Sequence, residues 1–158
     1  MTVRVRRVVT GHNVEGKAVV TYDGISDNVV STRPNQSAAV LWQTGRFPAD
    51  NNEDADVAKV PVKTVNPNGT VFRMVEFLPG VARRVHRTES VDYGIILSGE
   101  IVMELDDTEV HLRAGDCLVQ RGTTHNWVNR GTEPCVIVFV LVAAEPAVAG
   151  GKVMSANG

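Results

Sequence analysis

The stretch 91-VDYGIILSGEIVMELDDTEVHLRAGDCLVQRGTTHNWVN-129 decides the fold, because it breaks into short apolar runs at each glycine or acidic pair. The runs are 91–97, 100–105, 109–113, 117–121 and 124–129. Ser98-Gly99, Asp106-Asp107 and Ala114-Gly115-Asp116 separate the first four as turns, and Gly122 breaks the chain before the last. β-Branched residues at alternating positions, with no helical period, predict a series of short strands. Outward from this block, 70-TVFRMVEFL-78 precedes it as a strand ended by Pro79 and Gly80, and 135-CVIVFVLVA-143 follows it. Nearer the N-terminus, 3-VRVRRVV-9, 17-KAVVTY-22 and 38-AAVLWQT-44 are further strands. Many short strands at this spacing predict an all-β sandwich or barrel.

The connections carry their own signals. Residues 23–37, rich in Asp, Asn, Ser and Pro, read as loop. From Gly45 to Val57 the chain is polar and includes the acidic run 50-DNNEDAD-56. Its length suits a lid, a partner contact or disorder, and it lacks the glycine and terminal glutamate of a calcium loop. The segment 144–158 is small and Gly/Ala-rich, which predicts a flexible tail. One structural domain is expected: residues 1–69 packing on a barrel or a partner subunit, a core at 70–143, and the tail at 144–158.

Composition narrows the function classes. A chain of 158 residues is long enough for one hydrophobic core without metal or disulfide staples. Its net charge is −2, and Arg4, Arg6 and Arg7 are interleaved with valines, so no nucleic-acid partner is expected. No apolar run has membrane-spanning length and no secretion signal opens the sequence, so no membrane partner is expected either. Cys117 and Cys135 form neither a disulfide framework nor a zinc signature, and a cytoplasmic protein with free thiols is expected.

The central block resembles the cupin superfamily, and more narrowly a group of small single-domain bacterial cupins. In 80-GVARRVHRTESVDYGIILSG-99, Gly80, His86, Asp92 and Gly99 occupy places of the first cupin motif. In 115-GDCLVQRGTTHNWVN-129, Gly115, His125 and Asn129 occupy places of the second. The sequence departs from the pattern at Thr88, where a second histidine is usual, and at Arg121, which replaces a proline. Asp92 is one methylene shorter than the usual glutamate. The resemblance implies a double-stranded β-helix, or jelly-roll barrel, here with extra N-terminal strands.

The resemblance also implies a divalent metal inside the barrel, held by His86, Asp92 and His125, with Fe, Zn, Mn or Ni as candidates. A polar barrel interior without metal is the alternative. Strand parity places Thr88 on the face of His86, and places Arg121, Thr123, Trp127 and Asn129 with His125 as a substrate pocket. His125, His86 and Arg121 are the expected catalytic residues. The histidines would move protons near neutrality, and Arg121 would clamp a carboxylate. Arg83, Arg84 and Arg87 read as a solvated edge or loop, Tyr93 as core or interface, and His111 as solvent-facing. His12, in a loop, could approach a partner's pocket.

Together these features predict a small-molecule enzyme with non-oxidative lyase or isomerase chemistry, decarboxylation or dehydration, on a small carboxylate-bearing substrate. The alternatives are a non-catalytic ligand-binding barrel and an iron-dependent dioxygenase. Apolar text on both parities of 71–77 and 135–142 predicts a homodimer.

Overall fold

The computed structural model describes residues 3–52 and 55–158, so the acidic run at 50–56 lies partly outside the described residues. Four strands come first: β1 (Arg6–His12), β2 (Ala18–Ile25), β3 (Val29–Arg33) and β4 (Gln36–Thr44). A short 3-10 turn (Val57–Lys59) precedes β5 (Thr70–Phe77). Then follow β6 (Ser90–Ser98), β7 (Glu100–Glu104), β8 (Glu109–Arg113), β9 (Cys117–Arg121), β10 (Asn126–Val128) and β11 (Cys135–Ala143). A final hairpin pairs β12 (Ala147–Ala149) with β13 (Lys152–Met154).

Two antiparallel sheets face each other, six strands in the order β3-β4-β5-β11-β6-β9 and three in the order β10-β7-β8. This is the expected double-stranded β-helix. Alternation builds its core. From the large sheet come Val71, Val75 and Phe77 of β5, Ile96 of β6, and Cys135, Ile137, Phe139 and Leu141 of β11. Ile101, Met103, Leu112 and Trp127 meet them from the small sheet. The β6–β7 reversal turns on Gly99, at φ 72°, where a Cβ would lie 2.3 Å from the Pro134 carbonyl oxygen. Only glycine fits there.

The extra N-terminal segment packs on the outside. Val3 and Val5 cover Ala39, Leu41 and Met74 on the outer face of the large sheet. The β1–β2 hairpin is fastened by Arg7, which is buried, forks onto Asp56 with both contacts at 2.6 Å, and lies 4.2 Å over the Tyr22 ring.

Two segments differ from the sequence reading. The loop expected over 23–37 contains β3, an edge strand that returns through Pro34 and Asn35 (φ 60°) into β4. Its polar composition hid it, since an edge strand needs few apolar residues. The segment 144–158 carries the β12–β13 hairpin, then pairs Asn157 with Arg87 through two backbone hydrogen bonds of 3.0 Å. Among the described residues, no helix is long and apolar enough to cross a membrane.

Candidate active site

His86 and His125 meet as an isolated antiparallel bridge, each backbone N–H donating to the other's carbonyl at 3.0 Å. Their rings are 4.2 Å apart between centroids, tilted by 50°. Both are buried. Each Nδ1 lies against the carbonyl two residues earlier: Arg84 O at 3.1 Å for His86, and Thr123 O at 2.9 Å for His125. A carbonyl oxygen only accepts, so Nδ1 carries the proton in both rings and Nε2 is left as a bare acceptor.

Electrostatics keep both rings neutral. Burial pushes His86 down to about 4, helped by His125, Arg84 and Arg33, against the hydrogen bond to the Arg84 carbonyl. Burial also lowers His125, with Arg84 and Arg33 adding to it and the Thr123 carbonyl opposing. Trp127 walls the pair, its ring edge-on to His125 at 5.8 Å and packed on Phe77 at 6.1 Å and Phe139 at 5.7 Å. Asn126 fixes the segment that carries His86: its Oδ1 accepts the Arg84 N–H at 2.8 Å while its Nδ2 donates to Glu104 at 2.9 Å. The sequence offered no reason to single out Asn126.

Thr88 and Asp92 are buried but turned to other work. Ser90 Oγ lies 2.9 Å from Thr88 Oγ1 and 2.5 Å from Asp92 Oδ1, and Gln120 Nε2 donates to Asp92 Oδ2 at 3.1 Å. Burial raises the Asp92 carboxyl above the usual range, with Ser90 and Arg73 opposing. Among the described residues no three His, Cys, Asp or Glu side chains gather where they could hold a metal ion. The expected Fe, Zn, Mn or Ni site at His86, Asp92 and His125 is therefore corrected. Position 88 lacks an imidazole, and both Asp92 oxygens are engaged by Ser90 and Gln120.

Other expected pocket residues are also displaced. Gly122, at φ 59°, shifts the alternation, so Gln120 faces inward and Arg121 is exposed on the outer face. Thr123 is exposed and contributes only its carbonyl. Asn129 is buried but ties a loop, donating to Phe77 O at 2.9 Å and Glu133 O at 2.8 Å. His12 and His111 are exposed, the latter 3.2 Å from Glu100. An open cleft of about 470 Å³ includes Arg83, Val85 and Glu104 in its lining and reaches His125. Arg83 and Val85 are exposed, Arg84 is half-buried and His86 is buried.

The barrel, its two motifs and its histidine bridge define a cupin. The cupin domain family matches residues 73–141. The chain is 34% identical to the cupin-domain-containing oxidoreductase fogC of Aspergillus ruber, over 96% of this chain and 78% of that one. It is 36% identical to the cupin-domain-containing oxidoreductase virC of Hypocrea virens, over 92% of this chain and 79% of that one. In structure it resembles the cupin domain of Cnp3 of Schizosaccharomyces pombe, with a TM-score of 0.54 at 12% identity over 87% of each chain. The protein belongs to the cupin superfamily. Both sequence relatives are fungal, so the narrower bacterial group gives way to the superfamily as a whole. Both are also named oxidoreductases, which overturns the expected lyase or isomerase chemistry.

Proposed function

We propose that this cupin is an oxidoreductase of small molecules in which His125 and His86 accept the proton released by oxidation. The names of the relatives supply the reaction class. The observation that carries the reading is the pair of bare Nε2 atoms, each fixed by an Nδ1–H bond to a backbone carbonyl. Oxidising CH–OH to C=O with dioxygen as the two-electron acceptor forms hydrogen peroxide: the C–H hydrogen leaves with the electron pair to the oxygen, and a neutral imidazole takes the O–H proton and passes it to the reduced oxygen. With rings 4.2 Å apart, a proton on one imidazole disfavours a second on the other, so the pair holds one proton at a time. Trp127 packs edge-on against His125 and forms the apolar side of this site.

The test is turnover of a panel of small organic acids and alcohols, in air and under nitrogen, with consumption of the oxidant followed directly. His125→Asn and His86→Asn should each lower kcat by about 10²–10⁴-fold while the fold is retained. Wild-type turnover in the double variant would remove the pair from the chemistry.

A homodimer is part of the same reading. Cross-strand register aligns Phe72, Val140, Tyr93 and Val119 in one row on the outside of the large sheet, and Met74, Val138, Ile95 and Cys117 in the next. Phe72, Tyr93, Ile95 and Val119 are each more than a third exposed, and an apolar sheet face of this kind suits a two-fold contact with a second copy.

A further inference from the structure

Both histidines are shut away from solvent, His86 at 7% exposure and His125 at 3%, so entry to either Nε2 requires covering chain to give way. Residues 155–158 lie against the segment that carries His86. Asn157 pairs with Arg87 through two backbone hydrogen bonds of 3.0 Å, and the Ala156 N–H donates to Glu89 Oε1 at 3.0 Å. Gly158 comes so close that a Cβ there would lie 2.6 Å from the His86 Cβ and 2.7 Å from the Val85 carbonyl oxygen.

Arg87 ties these residues to both histidine segments. It follows His86 directly, and its Nε and Nη2 donate to the Ser155 carbonyl at 2.9 Å and 2.8 Å. Its Nη1 donates to Thr124 Oγ1 at 3.0 Å, one residue before His125. One side chain thus clasps three pieces of chain.

Little else holds the segment down. Residues 155–158 are all exposed, and no residue of 144–158 is buried or belongs to either apolar core. In the hairpin that leads to it, Val148 is 71% and Val153 65% exposed. A segment fastened by exposed hydrogen bonds and few apolar contacts opens locally while the rest of the domain stays folded.

We infer that residues 155–158 form a strap on the His86 side of the histidine bridge that opens to admit a ligand, with Arg87 as its clasp. The inference rests on the proposed function for what is admitted, a small-molecule substrate, and not for the motion itself. It gives a place to the segment expected as a flexible tail. It also gives Arg87, expected as a solvated edge or loop residue, control of entry to the two imidazoles.

The first test is amide hydrogen exchange of the wild-type chain. The Asn157 N–H, bonded to the Arg87 carbonyl, should exchange at least a hundredfold faster than the Phe139 N–H in β11. Equal rates would mean that the strap leaves only when the barrel unfolds, and would overturn the inference.

The second test is modification by diethyl pyrocarbonate, which attacks a neutral imidazole nitrogen, with the modified histidines resolved by peptide mass spectrometry. The proteins are wild type, Arg87→Ala, Glu89→Ala, and Arg87→Cys/Asn157→Cys with the exposed thiol removed by Cys117→Ser. An antiparallel hydrogen-bonded pair sets its Cα atoms about 5.5 Å apart, within the reach of a disulfide. His86 and His125 should react at least tenfold faster in Arg87→Ala than in wild type. They should react at least tenfold slower in the oxidised double-cysteine protein than after its reduction. Exposed His12 is the internal standard and should react alike throughout. If Arg87→Ala fails to fold, Glu89→Ala frees the strap at Ala156 and should raise the rate in the same direction.

Equal rates in the oxidised and reduced forms, or no rise on unclasping, overturn the inference and move entry to the cleft lined by Arg83, Val85 and Glu104. The reagent reads access without any oxidation of substrate. A histidine pair that takes no part in turnover would still show disulfide-dependent modification. A strap that does not gate would instead leave turnover equal in the oxidised and reduced forms, with the loss in His125→Asn intact.

Discussion

The carbonyls of Arg84 and Thr123 decide which nitrogen of each histidine is available, and they do so through backbone geometry alone. A consequence is a pH-dependent stability with a definite sign. Both imidazoles sit below the usual histidine value when folded, so below about 6.5 the unfolded chain binds protons that the folded one refuses. Stability is therefore full above about pH 6.5 and falls as the pH drops toward about 4, the folded value of His86. Melting temperature against pH should show this decline in wild type and a flatter profile in His86→Asn/His125→Asn. Asn126→Ala should cost about 1–3 kcal/mol in chemical denaturation, because it leaves the Arg84 N–H without its acceptor and frees Glu104. The histidines were legible in the sequence because the two motifs frame them. Arg33 was not, because its strand reads as a polar loop. Arg121 was misplaced because strict alternation was carried through Gly122, whose positive φ shifts the inward position to Gln120.

At the scale of elements, alternation and turn chemistry account for most of the barrel. The strands from β5 to β11 follow runs bounded by Gly, Asp and Pro, and β11 is apolar on both parities, with Cys135, Ile137, Phe139 and Leu141 buried in the core and the alternate residues half-buried on the outer face. Gly99→Ala should destabilise the protein by at least about 1–2 kcal/mol, since it forces a side chain into left-handed backbone and against Pro134. Arg7 and Asp56 join β1 to the segment before the 3-10 turn, a pairing between residues 49 apart that no local pattern announces. Arg7→Ala should cost about 3 kcal/mol at neutral pH, near the lower end for a broken buried pair, because the Asp56 side chain keeps 29% exposure. The Arg7 guanidinium holds the Asp56 carboxyl below the usual range, against burial. Its contribution is therefore present above the unfolded aspartate value and lost as pH falls through the folded one. Acid titration of Arg7→Ala should lack that component.

For the whole molecule, the outer rows through Tyr93 and Ile95 set the expected association. Sedimentation equilibrium should give a dimer for wild type and a monomer for Tyr93→Asp/Ile95→Asp, with the barrel still folded; a wild-type monomer at micromolar concentration would remove the second copy. The site faces inward and the association face outward, so the monomeric variant should retain its histidine bridge. The most direct measurement is nitrogen-15 NMR of protein labelled in histidine, followed from pH 7.5 to pH 5. The expected result is His86 and His125 as neutral Nδ1–H tautomers at pH 7, with unprotonated Nε2 signals that persist below about pH 6.5, the ordinary imidazole value. An Nε2–H tautomer in either ring, or an imidazolium at pH 7, would contradict it.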